Sequence, residues 1–166
     1  MRMGPDSPSL ADLLSQIEHP QLTHILRHYG EVQNPSPLAK AIIEDMRAGK
    51  LTTTADLSDL ILRIVGRPRQ KGPKKPIHPA TLVFQGLRIA TNDELTHLER
   101  VVDTLPQIIK PGGIAVFISF HSLEDRIVKQ GLKRLENPCT CPPSLPLCAC
   151  HAKPKVQILT SKPIRP

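Results

Sequence analysis

The sequence predicts an α/β protein in which a small all-helical unit, residues 1–76, precedes a mixed unit over residues 77–166. Three observations predict it. From residue 9 to 66 the apolar residues recur only at helical spacing, and nothing alternates like a strand. Ile114-Ala-Val-Phe-Ile-Ser-Phe120 is a continuous apolar run with β-branched content, the pattern of a strand covered on both faces. A helical pattern resumes directly after it, as when a strand feeds a helix in a layered α/β arrangement.

In chain order, Leu10, Leu13, Leu14 and Ile17 share one helical face, and that helix ends near His19-Pro20. Leu22, Ile25 and Leu26 make a second face, stopped by Gly30. Ser36-Pro37 suits the cap and first turn of a helix carrying Leu38, Ala41 and Ile42, with Gly49 at its C-terminal stop. Thr53 or Thr54 caps a fourth helix bearing Leu57, Leu60, Ile61 and Ile64, ended by Gly66. Arg67 to Pro76 is a linker by composition, because Pro and Gly break helices and its like charges repel. From Pro79 onward Phe84, Leu87, Thr91, Leu95, Leu98, Val102, Leu105 and Ile109 keep helical spacing, with a break expected near Asn92 or Pro106. Lys110-Pro-Gly-Gly113 is a turn into the strand, and a helix from Ser122 to about Leu135 follows it. Val156 to Thr160 reads as an edge or antiparallel strand. Two or three strands make a poor sheet, so the mixed unit is expected to lack part of its partner set.

Apolar residues make up 39% and charged residues 22%, which argues for a packed core over disorder. Aromatics are only 2%, so the core is Leu, Ile and Val, and base stacking has few platforms. The net charge of +7 is unevenly placed. Residues 1–62 hold eight acidic and five basic side chains, whereas Arg63, Arg67, Arg69, Lys71, Lys74 and Lys75 follow with no acid among them. Lys153, Lys155, Lys162 and Arg165 are likewise unopposed. Such runs suit the phosphates of a nucleic acid, and Arg67, Arg69, Lys71, Lys74 and Lys75 are the backbone-binding candidates; a solvated loop and tail is the bland alternative. No apolar run approaches the roughly 18 residues of a membrane span, and Met1-Arg-Met-Gly-Pro5 has no signal-peptide core. The expected location is cytoplasmic.

Three motifs carry chemistry. Gln85, Arg88 and Asn92, spaced by three and four, form a polar stripe that could bind RNA, order a cleft, or simply be solvated. Ser119-Phe-His-Ser-Leu-Glu-Asp-Arg126 places polar groups where a strand ends and a helix begins, the position at which α/β sheets hold ligands. Ser122 with Asp125 fits a capping box there, which leaves Ser119 and His121 as the better site candidates. Cys139-Thr-Cys141 and Cys148-Ala-Cys150 offer four thiolates for a structural zinc, with redox-active thiols as the alternative.

Taken together these stretches resemble the ribosomal RNA small subunit methyltransferase H family. The most specific match is Pro111-Gly-Gly113 through Ser119 to Lys129; Met1-Arg-Met3 with Ala11-Asp-Leu-Leu14, His78 to Leu95, and the Cys-Thr-Cys and Cys-Ala-Cys tail add to it. The resemblance implies a Rossmann-like class I methyltransferase sheet interrupted by a helical insert. It also implies S-adenosylmethionine as cofactor, bound mostly upstream of this chain, and cytidine N4 in small-subunit rRNA as acceptor. His78, Arg88, Asn92, Ser119, His121 and Arg126 are the cleft candidates that follow, and no catalytic residue is assigned. The glycine-rich cofactor turn and acidic ribose-binding residue of the family have no counterpart here, so the chain resembles a C-terminal part of such an enzyme. Gly4, Leu82, Ile114 and Pro35-Ser-Pro37 stand where members tend to carry other residues, several of them cations. A non-catalytic RNA-binding or assembly module is the alternative.

Overall fold

A computed structural model describes residues 8–66, 78–142, 150–160 and 162–164. The described residues contain seven helices: α1 (Leu10–Gln16), α2 (His19–His28), α3 (Pro35–Arg47), α4 (Thr54–Val65), α5 (Pro79–Asn92), α6 (Glu94–Ile108) and α7 (Ser122–Glu136). They fall into two compact units, residues 1–93 and 94–166.

The first unit is a helical cluster. Local chemistry sets its boundaries: Ser9 caps α1 in a box with Asp12, and Thr53 caps α4 in a box with Asp56. Asn34 adopts a left-handed conformation at the start of α3, whose first residue is Pro35, two positions before Pro37. The stripes anticipated in the sequence then meet. Leu22, Leu26, Leu38, Ile42, Ile61 and Leu87 are fully buried, each contributing about 1.5–3 kcal/mol by leaving water. The α2 and α5 backbones approach so closely that a Cβ on Gly86 would lie 2.7 Å from the Gly30 amide nitrogen. Gln85 reinforces the contact, its Nε2 donating to the Tyr29 carbonyl at 3.2 Å.

α5 ends on Asp93, whose left-handed φ of 49° turns the chain into α6, so the long helical pattern breaks beside Asn92. Pro106 does not break it, and lies inside α6 within the last turn. In the second unit Val102, Leu105 and Leu135 form a small core between α6 and α7, with Leu98, Phe117, Val128, Leu132 and Val156 packed against it.

The expected α/β arrangement with part of a Rossmann-like sheet is not formed. All seven elements are helices, and no strand is present among the described residues. Ile114, Val116, Ile118 and Phe120, anticipated as buried, are 71%, 82%, 79% and 90% exposed. The reason lies in pairing. A strand is stabilised by hydrogen bonds to a neighbouring strand, and no backbone ladder joins residues 114–120 to another described segment. Only Phe117 reaches the α6–α7 core. Residues 156–160 form no edge strand either: the preceding Lys155 amide donates to the Leu135 carbonyl at 2.9 Å, and the Ile158 amide to Glu136 Oε1 at 2.7 Å. That tail is tied to the end of α7.

Candidate functional site

Two candidate histidines occupy the same local position, the N-cap just before the first residue of a helix. His78 precedes Pro79, whose ring fixes φ for the first turn of α5. Its Nδ1 accepts from the Ala80 amide at 3.2 Å. Arg88 is half-buried and Asn92 closes the same helix, its Nδ2 donating to the Arg88 carbonyl at 2.9 Å. His78 and Asn92 therefore stand at opposite ends of α5, about 20 Å apart at helical rise. Of the Gln85, Arg88 and Asn92 stripe, two members donate to backbone carbonyls of their own unit, which fixes their orientation.

In the second unit, His121 is the N-cap of α7 and Glu124 its reciprocal partner. The box falls one residue earlier than the anticipated Ser122 and Asp125; Asp125 instead pairs with Lys129 at 2.6 Å. His121 Nδ1 accepts from the Glu124 amide at 3.4 Å, while Glu124 Oε2 accepts from the Phe120 amide at 2.7 Å. Such a cap contributes about 1 kcal/mol. His121 Nε2 lies 3.3 Å from Glu124 Oε1, but off the line that a hydrogen bond requires. That buried nitrogen has no hydrogen-bond partner among the described residues. Ser119 and Arg126 are exposed on either side of the cap. Glu124 is structural, as its place in the first turn suggested; its partner His121 was the cap not anticipated, although their spacing carries the signal, a cap residue followed at the third position by an acid.

Cys139, Cys141 and Cys150 are gathered just past α7, with their three sulfurs all within 4.8 Å of one another. Cys148, anticipated with them, lies outside the described residues, as do Arg67, Arg69, Lys71, Lys74 and Lys75. An open groove between α1 and α2, lined by Leu13, Ile17, Pro20, His24 and Ile25 among others, contains none of the candidate residues.

A family model described as the MraW methylase family matches residues 1–166. The chain belongs to the MraW methylase family. Among curated relatives of this family member, it is 44% identical over 164 residues to Ribosomal RNA small subunit methyltransferase H of Anaeromyxobacter sp. (strain Fw109-5), covering 99% of the chain and 52% of the relative. It is 41% identical over 167 residues to the protein of the same name from Carboxydothermus hydrogenoformans, covering all of the chain and 52% of the relative. The Myxococcus xanthus protein of that name is 40% identical over 164 residues. The family chain thus spans about half the length of the curated relatives it matches. No described helix is long and apolar enough to cross a membrane.

Proposed function

We propose that this chain is part of an S-adenosylmethionine-dependent methyltransferase acting in the cytoplasm on the N4 amine of a cytidine in small-subunit rRNA. The observation that supports the reading is similarity along the whole chain, 44% identity over 164 residues, to a protein named for small-subunit rRNA methylation. An exocyclic amine is a poor nucleophile, because its lone pair is delocalised into the base. Orienting that lone pair toward the methyl donor is the main task of such an enzyme. His78, Arg88 and Asn92 in the first unit, and Ser119, His121 and Arg126 in the second, are the groups proposed to shape the acceptor side. The linker cations Arg67, Arg69, Lys71, Lys74 and Lys75 are proposed to meet the RNA backbone.

The described residues do not fit the methyl donor on their own. A donor site needs a concave pocket and an acid for the ribose hydroxyls. Around Ser119 to Phe120 the chain is exposed, and the nearby acid Glu124 is committed to capping α7.

The test is a chimera that joins this chain to the complementary half of the Anaeromyxobacter relative, assayed on small-subunit rRNA with labelled S-adenosylmethionine. Nucleoside mass spectrometry is expected to find N4-methylcytidine. A folded, donor-binding chimera that leaves the rRNA unmodified would overturn the reading. The unopposed basic runs favour one second reading, a non-catalytic RNA-binding module. It predicts salt-sensitive rRNA binding by that same inactive chimera.

A further inference from the structure

The cysteine cluster is independent of the methyltransferase reading and carries an inference of its own. Cys139 follows α7 by three residues, and Cys150 opens the returning segment. Their sulfurs are 3.6 Å apart. A disulfide would hold them at about 2.05 Å. The sulfurs of a tetrahedral zinc site, with Zn–S bonds of about 2.3 Å, sit about 3.8 Å apart. Cys141 completes a triangle with no side above 4.8 Å. A point at the centre of such a triangle is at most about 2.8 Å from each sulfur, so small side-chain rotations bring all three to bonding distance.

The surroundings suit a structural ion. The loop that carries the cysteines is fixed at both ends: it leaves α7 at Asn137, and its return is pinned by the Lys155 and Ile158 amides on Leu135 and Glu136. Val156 packs into the α6–α7 core at the same place. Between these anchors the two described pieces of the loop, residues 137–142 and 150–155, are almost wholly exposed and share no hydrophobic core. Here a cross-link would order more chain than packing does. Three thiolates would carry a charge of −3, and a divalent cation offsets most of it. Lys153 and Lys155 add positive charge in the adjoining segment.

We propose that Cys139, Cys141 and Cys150 bind one structural zinc ion that closes the loop between α7 and the returning tail. Each thiol releases its proton as its sulfur bonds to the metal, so binding strengthens as pH rises. The fourth tetrahedral position is left to a further donor.

The test uses the whole chain, purified under reducing conditions without chelator. Elemental analysis is expected to find about one zinc per chain. Cobalt(II) added to the stripped, reduced protein is expected to give thiolate-to-metal charge transfer and the strong visible bands of a tetrahedral site. Cys139→Ser and Cys150→Ser should each lower zinc content by about tenfold or more, with helical circular dichroism as the folding control. Should a variant fail to fold, alkylating the wild-type thiols before cobalt addition must abolish the same bands. Absence of zinc together with absence of the cobalt spectrum overturns the proposal. So does a cobalt spectrum unchanged in both serine variants, or a Cys139–Cys150 disulfide in the freshly isolated protein.

Discussion

Replacing Gly86 by alanine probes the closest approach in the first unit. A Cβ there would meet the Gly30 nitrogen at 2.7 Å, the Gly30 Cα at 3.0 Å and the Ile25 carbonyl oxygen at 3.2 Å. All three are backbone atoms, so no rotamer change relieves the contact. The α5 helix and the end of α2 must instead part by about 0.7 Å, which loosens the packing of Leu22, Leu26, Val83 and Leu87 around them. Overpacking of this kind costs about 1–3 kcal/mol, against about 1 kcal/mol gained by placing alanine inside a helix. Because all three contacts are with backbone, the cost falls in the upper half of that range, about 2–3 kcal/mol, and the balance is a loss of about 1–2 kcal/mol, or roughly 5–15 °C in the melting of a helical unit of this size. Far-ultraviolet circular dichroism during heating and urea titration measures it. A Gly86→Ala protein as stable as the wild type, or more so, would refute the reasoning, because helix propensity alone predicts that result. Gly131→Ala is the contrast. There the nearest atom is Cγ1 of Val102 at 2.5 Å, a side chain, so the double change with Val102→Ala should cost less than the sum of the single changes.

Two further expectations concern the caps. Hydrogen bonds from the Thr53 backbone and side chain, and then from the side chain and backbone of Thr52, hold the Asp56 carboxyl at about 2, below its ordinary 3.8. A depressed folded-state value means that this stabilisation is present above about 3.8 and fades as pH falls through about 2. Asp56→Asn should therefore narrow the difference from wild type across that acid window in pH-dependent melts, and a constant difference would count against the account. For α7, His121→Ala should cost about 1 kcal/mol while His121→Asn retains most of the stability, since asparagine can also accept from the Glu124 amide. Equal losses in the two variants, measured by urea unfolding, would show that the ring's packing matters more than its cap.

The helices were legible because their signals are local. Leu10, Leu13 and Leu14, then Leu57, Leu60 and Ile61, repeat at helical spacing beside a cap such as Thr53, and both kinds of information lie within a few residues. The break beside Asn92 was legible for the same reason; Pro106, the other position expected, lies inside α6, where the helix continues at the loss of one amide hydrogen bond. That the expected strands would not form was not legible. An Ile-Ala-Val-Phe-Ile run records a preference for pleated surroundings, but whether those surroundings exist depends on residues far away in sequence. At the candidate site the residue types were apparent and their duties were not. Ser122 and Asp125 matched the usual capping vocabulary, so histidine was overlooked as a cap although His121 and Glu124 have the same spacing.

The two capping histidines carry a consequence for proton chemistry. A neutral imidazole holds one hydrogen, and a nitrogen that accepts from an amide cannot hold it. With Nδ1 of His78 facing the Ala80 amide, and Nδ1 of His121 facing the Glu124 amide, the hydrogen of each neutral ring belongs on Nε2. Only the exposed His78 ring presents that nitrogen outward as a donor, suited to a carbonyl or phosphate oxygen; Nε2 of His121 is buried beside Glu124 Oε1. For either ring to serve as a base, its helix must first give up its cap.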